Sequence, residues 1–245
     1  MTFEFDAAAT ASRTKALECA RSVVAPVAPD IDREASVPAA VRDAARAVLA
    51  PPGDGVAWAL GIEALAGASA AVALVAVADV LHLAPATAPA QWGGLHGADV
   101  DGLKAHLDAT PAGDIAITAM LLGTAAHAVD AAATALKAAK AAGEAPGAAH
   151  PALSDAATAL DAARLLLWEA AQAGDGGATA RALARLEALE VGPLAWQVVR
   201  AALGSDAFRP GAPLERLRRD ATTLADVLGG HAAAEARAAA GVLPA

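Results

Sequence analysis

The sequence has few aromatic residues and almost no cysteine. Phe and Trp make up 3% of the 245 residues, Tyr is absent, and Cys19 is the one cysteine. A single cysteine excludes an intrachain disulfide and a cysteine-based metal site, and an unpaired thiol is typical of a reducing compartment. The N-terminal stretch also lacks the apolar core of a signal peptide. We therefore expect a cytoplasmic protein.

Positive charge is scarce as well. The chain has 18 Lys and Arg against 27 Asp and Glu, a formal net charge of −9, which argues against nucleic acid as a partner. The most hydrophobic stretch, residues 56–83, contains Glu63 and Asp79. The uncharged run between these two is shorter than the ~20 residues that a bilayer span needs. We expect a buried core helix here and no membrane partner.

Alanine is what the sequence has in abundance, at 78 of 245 residues. Alanine has the highest helix propensity and is depleted in strands, so the composition predicts an all-α fold. Proline and glycine divide the chain into predicted helices at residues 7–24, 38–50, 56–83, 114–142, 151–173, 179–203 and 214–241. We expect Gly192-Pro193 to kink or break the sixth helix and Gly229-Gly230 to weaken the seventh. Short turns join the last four, which predicts a C-terminal antiparallel four-helix bundle.

The longest non-periodic stretch is residues 84–113, rich in proline and glycine, with a helical turn predicted at 100–107. A connection of this length is either a functional loop or the remnant of a lost element. It divides the chain into an N-terminal helical region (1–83), the loop (84–113) and a C-terminal bundle (114–245). The loop carries a group of residues that could bind metal or transfer protons, although solvated loop residues are the favoured interpretation: His96, Asp99, Asp101, His106 and Asp108.

The chain contains VAPDIDRE (27–34), AARLLLWEAA (162–171) and PLERLRRDA (213–221). Together, the segments around these motifs resemble the acyl-CoA dehydrogenase family. SVVAPVAPDIDREASVPAAVRDAARA (22–47) is similar to the family's N-terminal V-A-P-x-A-x-x-I-D-R-E segment. AALGSDAFRPGAPLERLRRDATTLADVLGG (201–230) resembles its C-terminal signature, which contains P-[LV]-E-R-x-x-R-D-A-R and ends in Y-E-G-T. DAATALDAARLLLWEAA (155–171) is similar to an intervening helix of the family. The order of the segments is that of the family.

The resemblance implies two helical portions that flank a middle β-domain, a buried flavin, and a glutamate that removes the α-proton of an acyl thioester as hydride passes to FAD. The chain is shorter than usual for the family, and the β-domain belongs where only residues 84–113 lie. Within them, QWGGLHGADVDGL (91–103) resembles a compressed remnant of the end of that domain. The resemblance therefore identifies the chain as a truncated member without the β-domain.

The positions that the resemblance assigns to the catalytic base lack glutamate. The usual position, eight residues beyond Asp220, holds Leu228, which cannot accept a proton. A minority of the family places the glutamate at the position of Gly113, beside which stands Asp114. Asp114 is thus the remaining candidate base; its alternative role is a favourable charge at a helix N-terminus.

The flavin-binding positions are also altered. The family's Q-x-x-G-G-x-G motif is left as Gln197 and Gly204, followed by Ser205 and Asp206 where the second glycine belongs. A carboxylate near a phosphate would repel it. Residues 140–151 lack the Arg, Phe and Gln of a second flavin motif. We expect no cofactor, and FAD only if a partner chain completes the site.

What the chain keeps are charged residues at family positions suited to bridging helices or subunits, namely Arg33, Glu34, Glu215, Arg216, Arg219 and Asp220. These features predict a non-catalytic scaffold or partner subunit, forming a homo-oligomer or a hetero-oligomer with a full-length acyl-CoA dehydrogenase. The alternative is an enzyme: a flavin-dependent dehydrogenase completed by a partner chain, or a repurposed catalyst that binds an acyl-CoA ligand.

Overall fold

The computed structural model describes residues 5–83, 100–143, 147 and 149–242, with side chains from residue 103 onward in the second range. Within these ranges the backbone is helical and contains no strand, so the predicted all-α fold is confirmed. The α-helices are α1 (Ala7–Cys19), α2 (Ala28–Glu34), α3 (Ala39–Val48), α4 (Gly55–Ala68), α5 (Ala70–Val80), α6 (Val100–Asp108), α7 (Pro111–Ala141), α8 (Ala149–Gln172), α9 (Ala178–Leu203), α10 (Pro213–Thr223) and α11 (His231–Val242). Single π-helical segments follow α1 (Ala20–Val24) and α10 (Leu224–Gly229).

The predicted single helix over residues 56–83 is wrong, because the chain breaks at Ser69. This residue is extended (φ −160°, ψ 116°), and its hydroxyl accepts a hydrogen bond of 3.4 Å from the backbone N–H of Val72. Serine is a favoured N-cap because its side chain satisfies a free N–H in the first turn. The prediction also missed α2, since Pro29 looks like a helix stop but lies in the first turn of a helix, where proline is tolerated.

Part of the 84–113 segment is regular. The helical turn predicted at 100–107 is confirmed as α6, and α7 begins at Pro111, three residues before the predicted start. Thr110 caps α7 by accepting a hydrogen bond of 3.1 Å from the N–H of Gly113. His96 and Asp99 lie outside the described residues.

Helix α7 runs through the centre of the protein, packed against α4, α8 and α9. It is long and apolar enough to cross a membrane, but 83% of its most apolar 18-residue window is buried inside the fold, as expected of a core helix. Small residues bring the helices close together. A Cβ at Gly123 of α7 would lie 2.3 Å from the carbonyl oxygen of Glu63 in α4.

The C-terminal helices form the predicted bundle. Helices α7, α8 and α11 each pack against the long α9, and α7 and α8 also pack against each other. Helix α9 continues as one element through Gly192 and Pro193, so the expected break there does not occur. The last predicted helix, residues 214–241, is interrupted at Gly229-Gly230 as expected: Gly230 adopts a left-handed conformation (φ 60°) between the π-helical segment and α11.

Candidate functional site around Arg185

One buried arginine contacts both Leu228, at the usual base position, and Asp114, which stands beside the second base position, Gly113. Arg185 of α9 is fully buried and forms an ion pair with Asp114 in the first turn of α7. Its guanidinium also donates to the backbone carbonyl of Asp114, at 3.3 Å, and to that of Leu228, at 3.4 Å. The fold therefore brings Leu228 and Asp114 to the same place.

The carboxylate of Asp114 is buried, with 4% of the residue exposed, and is surrounded by arginines. Besides Arg185, the Nε of Arg181 lies 3.6 Å and the Nη1 of Arg237 3.3 Å from its Oδ2. Helices α9 and α11 supply these three cations. A base must reach the substrate proton within hydrogen-bond distance. Asp114 instead directs its oxygens at guanidinium groups of its own chain.

Gly113, the other position assigned to glutamate, has no room for a side chain. A Cβ built there would lie 2.2 Å from the carbonyl oxygen of Leu107 and 2.7 Å from its Cα. The end of α6 is thus packed directly against the start of α7. A glutamate at this position would require α6 to move.

Leu228 is also enclosed, with 2% exposure, and belongs to the main hydrophobic core. At the neighbouring Gly229 a Cβ would lie 2.7 Å from a methyl group of Leu189 in α9. The segment that carries the usual base position is therefore part of the packed interior.

A second acid extends the cluster toward the surface. Asp108 of α6 forms ion pairs with Lys104 and with Arg185, whose Nη1 lies 2.8 Å from Oδ1. Burial raises the pKa of Asp108, but the hydrogen bonds and positive charges of Lys104 and Arg185 outweigh burial and hold that pKa below its usual value. Asp108 is thus held as a structural anion.

The two remnants of the flavin motif lie at different places on α9. Gln197 is exposed and lines a surface groove, whereas Gly204 ends the helix with a positive φ of 72°. Asp206 follows in a short 3₁₀ turn and forms a surface ion pair with Arg209 at 2.9 Å.

The charged residues of α10 connect it to the N-terminal helices. Arg219 makes a bidentate pair with Asp32 of α2, with distances of 2.9 and 2.8 Å, and contacts Glu215 at 3.3 Å. Arg216 donates a hydrogen bond of 3.1 Å to the carbonyl of Ala68, at the break between α4 and α5. These are intramolecular helix-bridging roles.

Asp220 is buried beside Arg216, with 3.9 Å between Oδ2 and Nη1. Burial raises its pKa to about 6, with added repulsion from Asp32 and Glu215, while Arg216 and Arg219 favour the charged form without offsetting this. Burial likewise lowers the pKa of Arg216. A carboxyl with a raised pKa inside the fold makes the stability of the protein depend on pH.

Arg33 and Glu34 do not join this network. Their side chains are 68% and 64% exposed, and among the described residues Arg33 pairs with its neighbours on α2 alone, Asp30 at 2.6 Å and Glu34 at 3.6 Å. Exposed pairs of this kind contribute little to stability.

The described residues contain no group of three His, Cys, Asp or Glu that could hold a metal ion. Of the predicted loop group, Asp108 is used in the ion pairs above. The side chain of Asp101 and the residues His96 and Asp99 are outside the described part.

Sequence reasoning missed the most important members of the site. Arg181 and Arg185 stand four residues apart in an alanine-rich helix, a spacing that puts both on one face. Asp32 was contained in the I-D-R-E motif, but the motif did not show which of its charges faces inward.

Glu63 and Arg164 form a further buried pair, with 2.8 and 2.6 Å between Glu63 Oε1 and the guanidinium nitrogens.

Comparison with known proteins agrees with this arrangement of helices. Residues 101–240 match the family model described as the acyl-CoA dehydrogenase C-terminal domain. The match spans more than half of the chain, and the chain belongs to the acyl-CoA dehydrogenase family. With 245 residues and no strand in the described ranges, it is a truncated member. A search of curated protein sequences finds no match.

Solved structures share the fold at low sequence identity. Butyryl-CoA dehydrogenase from Megasphaera elsdenii is 14% identical, with a TM-score of 0.76, over 99% of this chain and 100% of the other. A glutaryl-coenzyme A dehydrogenase in complex with glutaryl-CoA is 15% identical, with a TM-score of 0.73, over 99% and 97%. A structure from work on the electron transferring flavoprotein of Acidaminococcus fermentans is 15% identical, with a TM-score of 0.79, over 100% of each chain.

Proposed function

We propose that this chain is a non-catalytic member of the acyl-CoA dehydrogenase family that acts as a scaffold or partner subunit. One observation carries the proposal: Leu228 and Asp114, the residues at and beside the family's base positions, are locked around the buried guanidinium of Arg185. Catalysis by proton abstraction needs a free base in contact with substrate. The candidate base here is neutralised within the fold.

The described residues do not fit a flavin in the way that the resemblance implies. In the flavin motif, Ser205 and Asp206 replace the second glycine, and a carboxylate at this position disfavours a phosphate; Asp206 forms an exposed ion pair with Arg209. The described ranges contain no strand to enclose the isoalloxazine ring. We therefore propose that the chain alone holds no FAD.

Self-association or pairing with a full-length, flavin-bearing relative is the second part of the proposal. Large apolar side chains are exposed on the outer faces of the bundle: Leu165 of α8 at 48%, and Leu194 and Leu203 of α9 at 37% each. These leucines lie on two helices that pack against each other, and we propose that a protein partner covers them. The buried, unpaired Cys19, whose pKa is raised by burial, fits a cytoplasmic assembly.

An activity assay tests the first part. The purified chain is mixed with FAD, butyryl-CoA and an artificial electron acceptor, alone and with a full-length acyl-CoA dehydrogenase. We expect no turnover from the chain alone. The activity of the full-length relative should be the same with the Asp114→Asn variant as with the wild-type chain. Turnover by the wild type that is lost in a folded Asp114→Asn variant would contradict the proposal and support the alternative, an enzyme.

Light scattering after size-exclusion chromatography tests the second part. We expect the wild type to elute as an oligomer, or as a complex with the relative, and Leu165→Lys with Leu194→Lys to weaken that association. Leu17→Lys on α1, where the leucine is 42% exposed, is the matched control. A wild type that stays monomeric both alone and with the relative contradicts the scaffold proposal.

A further inference from the structure

A groove of about 490 Å³ lies on the surface of the bundle, and none of its lining residues belongs to the cluster of Arg181, Arg185, Arg237, Asp108 and Asp114. Helix α9 forms one wall, α10 and the following π-helical segment form the other, and Leu121 and Thr124 of α7 form part of the floor. The volume lies within the range of small-molecule sites, ~300–1,000 Å³.

The α9 wall leaves backbone bare. At Gly192 a Cβ would meet no described atom within 4 Å, so the groove is open at this point. Pro193 has no N–H, so the carbonyl of Leu189 lacks its usual helical donor. Gly192 therefore leaves space for a ligand against the middle of the helix.

The cationic side chains of the groove are available. Arg200 and Arg218 both line it, both are exposed, and neither forms an ion pair within the described ranges. By contrast, Arg216 and Arg219 on the same α10 are engaged with acids. Asp226 also lines the groove, so its formal charge is 2 − 1 = +1. The charge favours an anion.

The same groove has an aromatic surface. Trp196 and Phe208 pack edge to face, with 6.4 Å between ring centroids and 65° between planes. The guanidinium of Arg218 lies 4.9 Å from the ring centroid of Phe208, an arrangement that holds the cation beside the apolar surface. A ligand here meets apolar rings and a guanidinium together.

We propose that this groove binds a small organic carboxylate with an apolar, ring-bearing body. The carboxylate pairs with Arg200 and Arg218, whose guanidinium groups match its planar geometry. The ring lies against Trp196 and Phe208 over the floor formed by α7. The site is independent of the base positions and of the proposed scaffold role.

Displacement of 1-anilinonaphthalene-8-sulfonate, a fluorescent aromatic anion, tests the proposal. The probe is titrated into the full chain and then displaced with 4-phenylbutyrate or with its neutral amide. We expect the carboxylate to displace the probe and the amide to bind at least tenfold more weakly, since a guanidinium binds a charged carboxylate more strongly than a neutral amide. Equal displacement by both compounds would overturn the role of the arginines.

Two pairs of variants locate the site. The double variant Arg200→Gln with Arg218→Gln should bind 4-phenylbutyrate at least tenfold more weakly. The control, Arg33→Gln with Arg46→Gln, removes the same charge from exposed arginines of α2 and α3 and should leave the affinity unchanged. Gly192→Phe should fill the groove and abolish displacement, whereas Gly176→Phe, at a glycine that is also unobstructed, should not. Circular dichroism checks that each variant is folded. Equal effects within either pair contradict the proposal.

Discussion

The fully buried guanidinium of Arg185 in α9 forms an ion pair with the carboxylate of Asp114 in the first turn of α7. The pair ties the start of the central helix to the bundle. Breaking a buried pair by removing one partner leaves an uncompensated charge in the interior.

Replacing Arg185 by methionine should therefore lower the free energy of unfolding strongly. We expect a loss of about 1.5–3 kcal/mol, because Asp114 and Asp108 each lose a charged hydrogen-bond partner, while Arg181, Arg237 and Lys104 still face them. Urea unfolding followed by circular dichroism measures the change. The control, Arg46→Met, removes an arginine with 57% of its side chain exposed and should change stability by no more than ~0.5 kcal/mol. Equal losses in the two variants would contradict the role of the buried pair.

Glycine-to-alanine substitutions on the two long helices should have opposite effects. Gly123→Ala on α7 should destabilise by ~1–3 kcal/mol, because its Cβ would lie 2.3 Å from the carbonyl of Glu63. Gly192→Ala on α9 should stabilise by up to ~1 kcal/mol, since the methyl meets nothing within 4 Å and alanine is the better helix former. Thermal melting distinguishes the two. A neutral Gly123→Ala would mean that α4 and α7 are less closely packed than described.

Asp220 should make stability fall as pH rises from about 4 to about 6. Its pKa is raised to about 6 in the folded protein, above the ~3.9 of an unfolded chain, so in this window the folded state binds more protons. The contribution is present below the unfolded pKa and is lost as pH passes through the folded value.

The difference in unfolding free energy between Asp220→Asn and the wild type isolates this effect from the other acids. Relative to the wild type, the free energy of unfolding of Asp220→Asn should rise by up to ~3 kcal/mol between pH 4 and pH 6. Above pH 6 the difference should stay constant. A difference that does not change with pH would show that burial does not raise the pKa of Asp220.

The contact between Arg219 and Asp32 should give a measurable coupling energy. The pair is bidentate and partly exposed, at 34% and 25%, so we expect ~1 kcal/mol from a double-mutant cycle of Arg219→Ala and Asp32→Asn. The same cycle on Arg33 and Asp30, both more than half exposed, should give ~0.3 kcal/mol or less. Equal couplings would argue against a bridge between α10 and α2.

Composition predicts the helical fold of this chain well. Alanine content indicates helix, and proline and glycine mark most of its ends. Ser69 is the instructive failure: the run around it is uniformly apolar, and the break depends on a cap and on Arg216, which reaches Ala68 from 148 residues away. Such a tertiary contact leaves no local signal.

The sequence predicted only some of the residues of the site. The resemblance located Leu228 and Asp114, because motifs fix positions along the chain. It did not show that Arg181, Arg185 and Arg237 converge on Asp114, since these come from two helices whose packing decides which faces meet. The groove between α9 and α10 was likewise invisible, because a cavity depends on the distance between helices.

Flavin content tests the central claim most directly. The chain is purified, incubated with excess FAD, freed of unbound flavin by gel filtration, and its visible absorbance is compared with that of protein. We predict a colourless protein with flavin far below one per chain, because Asp206 stands in the flavin motif and the described ranges contain no strand that could enclose the isoalloxazine ring. A yellow protein with close to one flavin per chain would contradict the account.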